Sequence, residues 1–239
     1  MSHKETFLNR EIISYIEKRS EKDGKTMNNE ITTVAKCWNE KADSFDAEHN
    51  EENIPLWLET LQQLMEKPDG AKLLDVGTGT GFVAQMACTL GCQVTGVDIA
   101  EEMLAQARQK AEHRGLSIVY TLVNGSLLPY PDQSFNYLTN SRLLWTLLDP
   151  QQTFQEWHRV LCPGGQVLSF MRLPKETSEE DLWCYDRELE EKMPLKYASK
   201  QEITEEFRKA GFSKVEVIDL SPELSTADLN PWYCIRSTR

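Results

Sequence analysis

The sequence predicts an α/β fold: a doubly wound, mainly parallel sheet of seven strands behind an N-terminal helical cap. Three observations carry this. From residue 71 onward, short apolar runs alternate with segments of helical period. Glycine or proline punctuates most of the junctions between them. Before residue 67 the apolar positions recur at helical spacing and none alternates as in a strand. Strands that alternate with helices form a mainly parallel sheet covered on both faces.

Taken in order, Phe7, Leu8, Ile12, Ile13, Tyr15 and Ile16 predict a short amphipathic helix, and SEKDGKTMNNE (20–30) reads as a linker. Residues 31–66 are helical again, broken around 46–53, with an apolar face of Ile54, Leu58, Leu61 and Leu64. AKLLDV is the first strand, and Gly81 to Leu90 suits a helix that Gly91 stops. QVTGVD is the second strand. EEMLAQARQKAEHR then places Met103, Leu104, Ala107 and Ala111 on one helical face and ends at Gly115. SIVYTLV and SFNYLTN are strands three and four. Asp149 and Pro150 read as an N-cap with proline at the first helical position, and that helix runs to about Leu161, stopping at Pro163-Gly164-Gly165. GQVLSFM is the fifth strand. A charged insertion, 174–198, follows it where a substrate lid is expected. Ser199 and Glu202 form a capping box, Gly211 ends the helix they open, and KVEVIDL and PWYCIRS complete the sheet. The division expected is a helical cap at 1–67 and a sheet domain at 68–239.

Composition narrows the function. Of 239 residues, 40% are hydrophobic and 27% charged, enough for an ordinary core. The balance 26 − 38 = −12 gives a surface that repels phosphate backbones, so neither nucleic acid nor an anionic membrane is an expected partner. No apolar run reaches the ~18 residues of a membrane span, and MSHKETFLNR lacks the apolar region of a signal peptide. A cytoplasmic protein is expected. Six dispersed cysteines (Cys37, Cys88, Cys92, Cys162, Cys184 and Cys234) do not resemble a disulfide framework. Cys88 and Cys92 stand four apart, but Gly91 separates them and no histidine is near, so plain thiols and no metal are expected.

The chemistry lies in LLDVGTGTGF. Gly77, Gly79 and Gly81 occupy the turn after the first strand, where such sheets bind ligands. Glycine there allows positive φ and close approach of a ligand to the main chain. Asp98 ends the second strand, about twenty residues on, where a carboxylate binds ribose hydroxyls. Together they indicate an adenosine-containing cofactor. A dinucleotide loop is spaced G-x-G-x-x-G and offers backbone N–H groups to a pyrophosphate. Here the spacing is G-x-G-x-G with Asp75 in front, which repels a pyrophosphate and favours a cation, either directly or by orienting the loop. That points to S-adenosylmethionine. No P-loop lysine is present.

LLDVGTGTG, VTGVDIA, NGSLLPYPDQSFN and EWHRVLCPGGQVL resemble, in order and over residues 70–172, the signatures of class I S-adenosylmethionine-dependent methyltransferases, in the small-molecule group that includes quinone-biosynthesis enzymes. The resemblance implies a Rossmann-like methyltransferase fold. It implies that Asp75, Gly77, Thr78, Gly79 and Gly81 surround the methionine moiety, that Asp98 holds the ribose, and that Ile99 and Met103 flank the adenine. Asn124 and Gly125, with Ser126 beside them, fall where relatives often have Asp-Ala at the adenine edge; an amide can still accept from the adenine amino group. Ser141 and Arg142 face the methionine end. WNEKADSFD resembles the family's Trp-x6-Tyr-Asp segment, with Phe45 in place of tyrosine.

Plainer roles stay open at this point. Asp98 can cap a helix, Met103 can be core, and Arg142 can pair with an acid. Trp38, Trp145, Trp183 and Tyr185 can line an acceptor pocket or simply fill the interior. His49, in the cap, is a candidate general base; His3, His113 and His158 read as structural or solvated. Methyl transfer is an in-line displacement that chiefly requires alignment of donor and acceptor, so no catalytic signature need exist. The reading is methyl transfer to a small-molecule acceptor. Its rivals are a nicotinamide-dependent oxidoreductase and a non-catalytic S-adenosylmethionine-binding protein.

Overall fold

The computed structural model describes residues 25–49, 52–123, 126–172, 185–225 and 231–239. Two helices come first, α1 (Lys25–Glu48) and α2 (Ile54–Leu64). The alternating region follows: β1 (Lys72–Val76), α3 (Phe82–Thr89), β2 (Gln93–Asp98), α4 (Glu101–His113), β3 (Val119–Leu122), β4 (Phe135–Ser141), α5 (Pro150–Val160) and β5 (Leu161–Arg172). The chain ends with α6 (Arg187–Glu191), α7 (Lys200–Lys209), β6 (Ser213–Asp219) and β7 (Trp232–Thr238). The seven strands form one sheet in the order β3-β2-β1-β4-β5-β7-β6, parallel except for β7, which runs antiparallel to β5 and β6. The chain reverses direction of winding between β1 and β4. Their carboxyl ends are therefore where a doubly wound sheet opens a crevice.

Alternation in β1 divides the core. Leu74 points into a cluster with Phe154, Trp157 and Phe207 of α5 and α7. Leu73 points the other way, to Trp57, Leu61 and Leu64 of α2 and to α3. Helix ends follow the predicted chemistry: Asp149 accepts from the Gln152 N–H at 2.9 Å, and Ser199 and Glu202 form the capping box. Gly91, Gly115 and Gly211 all take positive φ.

Four expectations need correction. The stretch read as a linker is helical from Lys25, because no breaker separates it from the helix beyond. On α2 the buried stripe is Trp57, Leu61 and Leu64, whereas Ile54 in the first turn is exposed. Helix α5 stops at Val160, and Pro163-Gly164-Gly165 lies within β5, where a register shift between Phe135 and Tyr137 absorbs the irregularity. Cys37 is disulfide-bonded and buried against Tyr185, Leu189 and Met193; Cys88, Cys92, Cys162 and Cys234 are free thiols. The first predicted helix, His3 and Trp183 lie outside the described residues. Among the described residues no helix is long and apolar enough to cross a membrane.

Candidate active site

The glycine turn is assembled from its backbone outward. Gly77, Gly79 and Gly81 have φ of +63°, +54° and +86°. A Cβ on Gly77 would lie 2.7 Å from Leu143 Cδ1, so that glycine is fixed by packing. A Cβ on Gly79 would meet no atom within 4 Å, so its bare face opens outward. The loop's own N–H groups are turned inward: Thr78 donates to the Val97 carbonyl (3.0 Å), Gly79 to Asp98 Oδ2 (2.8 Å) and Gly81 to the Thr78 carbonyl (2.8 Å).

Asp75 does not face that opening. Its side chain is buried, accepting hydrogen bonds from Thr78 Oγ1 and Thr139 Oγ1, each at 2.7 Å. The Ala84 N–H, in the first turn of α3, also favours its charged form. The carboxylate therefore stands where a phosphate would bind a helix N-terminus. Burial, reinforced by Asp98, pushes its pKa up from 3.8 to about 6 against those hydrogen bonds.

A carboxyl raised in the folded state lowers stability when it ionises. Below pH 3.8 both folded and unfolded chains hold the proton; from there to about 6 the unfolded chain binds fewer, and stability falls. The full loss, on the order of 3 kcal/mol, is present above about pH 6. Denaturant titrations should show Asp75→Asn gaining on the wild type by about that amount between pH 4 and 7. Parallel pH profiles would contradict this.

Above the turn lies a cavity of about 1050 Å³. Of the residues singled out in the sequence, Phe45, Gly77, Gly79, Asp98, Ile99, Met103, Ser126, Ser141 and Arg142 line it. Asp75, Thr78 and Gly81 do not; they shape the turn from beneath, Gly81 against Tyr120, Gln85 and Ala107. Asn124 and Gly125 lie outside the described residues. Asp98 accepts from the Gly79 N–H and, at 2.9 Å, from the Ala100 N–H, and burial raises its carboxyl above the usual range. A carboxylate has about four acceptor positions, so acceptor capacity remains on the cavity side. Ser141 Oγ is buried on the same wall without a hydrogen-bond partner. Trp38 and Trp145 line the cavity edge to face, at 6.1 Å, while Tyr185 is buried behind Trp145.

A family model for a methyltransferase domain matches residues 74–169. A demethylmenaquinone methyltransferase of Geobacillus kaustophilus is 30% identical over 191 residues, 67% of this chain and 79% of the relative. The chain belongs to the class I S-adenosylmethionine-dependent methyltransferases. The Thermus thermophilus demethylmenaquinone methyltransferase is 40% identical over 108 residues, where the chain spans about half of the relative's length, 49%. In fold, an S-adenosylmethionine-dependent methyltransferase from Aquifex aeolicus superposes with a TM-score of 0.64 over 84% of this chain and 97% of its own, at 19% identity.

The methyltransferase cavity is braced by residues that sequence reasoning passed over. Asp46 closes the Trp-x6-Tyr-Asp segment. Its Oδ1 accepts from Thr80 Oγ1 at 2.6 Å and its Oδ2 from Lys110 Nζ at 2.6 Å, tying the end of α1 to the glycine turn. The Glu52 side chain is buried and gathers Arg142, Arg172 (3.1 Å) and Trp57 Nε1 (2.7 Å), while both guanidiniums lie over the Trp232 ring. Arg142 thus pairs with an acid and lines the cavity at once. Partners 90 and 120 residues apart leave no local signal.

Proposed function

We propose that this chain transfers the methyl group of S-adenosylmethionine to a small-molecule acceptor of the demethylated quinol kind. One observation carries the choice of cofactor. The helix N-terminus that a dinucleotide's pyrophosphate requires is capped by Asp75, while Gly79 and Asp98 open onto the cavity. That arrangement is hostile to a phosphate and suits a ligand with a ribose at one end and a cationic amino acid at the other.

The donor set fits S-adenosylmethionine. Asp98 would accept from the ribose hydroxyls, and Gly77 and Gly79 would let the methionine part approach the main chain. Ile99 and Met103 would flank the adenine, with Ser126, Asn124 and Gly125 at its edge. Ser141, whose hydroxyl lacks a partner, would meet the methionine end together with Arg142 and Phe45. When bound, the cofactor supplies a methyl group already made electrophilic by its sulfonium. The protein's part is to hold an acceptor in line and exclude water.

The acceptor side is aromatic and aliphatic: Trp38, Trp145, Leu147, Leu148, Met171 and Leu195. It is walled by α1 and by residues from 187–198, within the described part of the segment expected as a lid. These support a flat apolar acceptor enclosed between cap and sheet domain, and the names of the relatives point to a quinol. Incubation with S-adenosylmethionine and reduced demethylmenaquinone, or its short-chain analogue, is expected to release S-adenosylhomocysteine and a product heavier by one methylene. Cofactor binding without release across a panel of hydroquinones would favour a non-catalytic role instead.

A further inference from the structure

Helix α1 serves three neighbours at once. Ile31, Val34, Trp38, Phe45 and, just past its end, His49 line the cavity. Val34 and Cys37 also pack on Tyr185, Leu189 and Met193. A further set, Asn39, Asp43 and Asp46, spaced by four and three, meets α4. Asn39 Oδ1 accepts from the Glu102 N–H (2.9 Å), Asp43 Oδ1 from Gln106 Nε2 (3.3 Å), and Asp46 Oδ2 pairs with Lys110 Nζ (2.6 Å). The partners on α4 are spaced by four, so two helical stripes are joined rung by rung. Ala42 packs on Ala100 and Met103 in the same seam.

Two of these side chains reach the cofactor half of the cavity. Helix α4 begins directly after Asp98, Ile99 and Ala100, and its N-cap, Ala100, has no side-chain acceptor for the first-turn N–H groups. Asn39 supplies that acceptor from 63 residues away. The helix that carries Met103 is therefore capped by α1. Asp46 Oδ1 accepts from Thr80 Oγ1 at 2.6 Å, and Thr80 is only 2% exposed, between Gly79 and Gly81. With Asp98 accepting from the Gly79 N–H, the turn is held between two carboxylates, one on the sheet and one on α1.

We infer that Asn39 and Asp46 are positioning residues that couple the two ligands of the cavity; this rests on the methyl-transfer reading above. The three rungs to α4 are exposed to solvent, and each such contact contributes little by itself. Docking of α1 is thus biased by whatever orders the glycine turn and the first turn of α4. Occupation of the cofactor half orders both, and docked α1 then presents Ile31, Val34 and Trp38 as the wall against which the acceptor binds. By linkage the effect is reciprocal: a docked α1 tightens the cofactor half in turn. The acceptor binds tightly only after the cofactor, and the order is set by Asn39 and Asp46.

The test follows amide hydrogen exchange across α1 and calorimetric affinity, with and without S-adenosylhomocysteine. It compares wild type, Asn39→Ala and Asp46→Ala with the conservative Asn39→Asp and Asp46→Asn. In wild type, saturation with S-adenosylhomocysteine is expected to slow exchange in α1 by about 10-fold or more and to tighten binding of a reduced short-chain demethylmenaquinone by a similar factor. In each alanine variant both ratios should fall to within about twofold of one, and affinity for S-adenosylhomocysteine should drop about fivefold. The conservative variants keep an acceptor for the Glu102 N–H and for Thr80 Oγ1, and should stay within about threefold of wild type. Adding Thr80→Val to Asp46→Ala should change little more, because both remove one bond. A merely structural loss would speed exchange equally with and without ligand. Alanine variants that keep the wild-type ratio, or a wild-type α1 whose exchange ignores bound S-adenosylhomocysteine, would overturn the coupling and leave the methyl-transfer reading intact. Wild type that binds no S-adenosylhomocysteine would instead overturn that reading, and the coupling with it.

Discussion

Asp98→Ala is expected to weaken S-adenosylmethionine binding by at least about 100-fold. The carboxylate is buried at the edge of the cavity and already tethers Gly79 and Ala100 through their N–H groups. Its remaining acceptor positions would meet two ribose hydroxyls. Hydrogen bonds to a charged partner contribute about 1.5–3 kcal/mol each, so two of them exceed the roughly 2.8 kcal/mol that a hundredfold change represents. The variant also releases Gly79, and with it the curvature of the turn. Asp98→Asn keeps one acceptor and should lose about tenfold. Calorimetric titration checks both, with thermal unfolding to show that the variants are folded. Affinity within about threefold of wild type in Asp98→Ala would remove the ribose from this carboxylate.

Glu52→Ala is expected to destabilise the fold by about 3–5 kcal/mol, the usual effect of breaking a buried charge pair. The Glu52 side chain is 3% exposed and serves Arg142, Arg172 and the Trp57 indole together. Trp57 is itself fully buried, packed edge to face on Phe82, Phe170 and Trp232 at 5.0–5.5 Å. Truncation strands the indole N–H and takes the buried carboxylate from two guanidiniums stacked over Trp232. For a chain of this length the loss corresponds to a Tm lower by about 6–20 °C. Glu52→Gln, which keeps an acceptor for Trp57 without the charge, should fall between the two. A Tm shift below about 2 °C would mean that water replaces the carboxylate at little cost.

What was legible in the sequence is what local chemistry controls. The strands from Lys72 onward, the caps at Asp149 and Ser199 and the stops at Gly91, Gly115 and Gly211 each depend on a few adjacent residues, and each is where those residues require it. The glycine turn and Asp98 were legible for the same reason. Asp75 was only half legible. Its spacing marks the turn, but whether it faces a ligand or the interior depends on Thr139, sixty-four residues away. Glu52 and Asp46 were hidden, because each is defined by groups that only the packing of the N-terminal segment against the sheet brings near. Trp57 was within reach, since it lies one turn before Leu61 on the same stripe.

The central claim is that the turn capped by Asp75 binds a sulfonium nucleoside and not a pyrophosphate. Calorimetric titration of the wild-type protein with S-adenosylmethionine and, separately, with NADH tests it most directly. Saturable binding of S-adenosylmethionine with no heat from NADH is the predicted result; binding of NADH alone would contradict it and return the cavity to hydride-transfer chemistry.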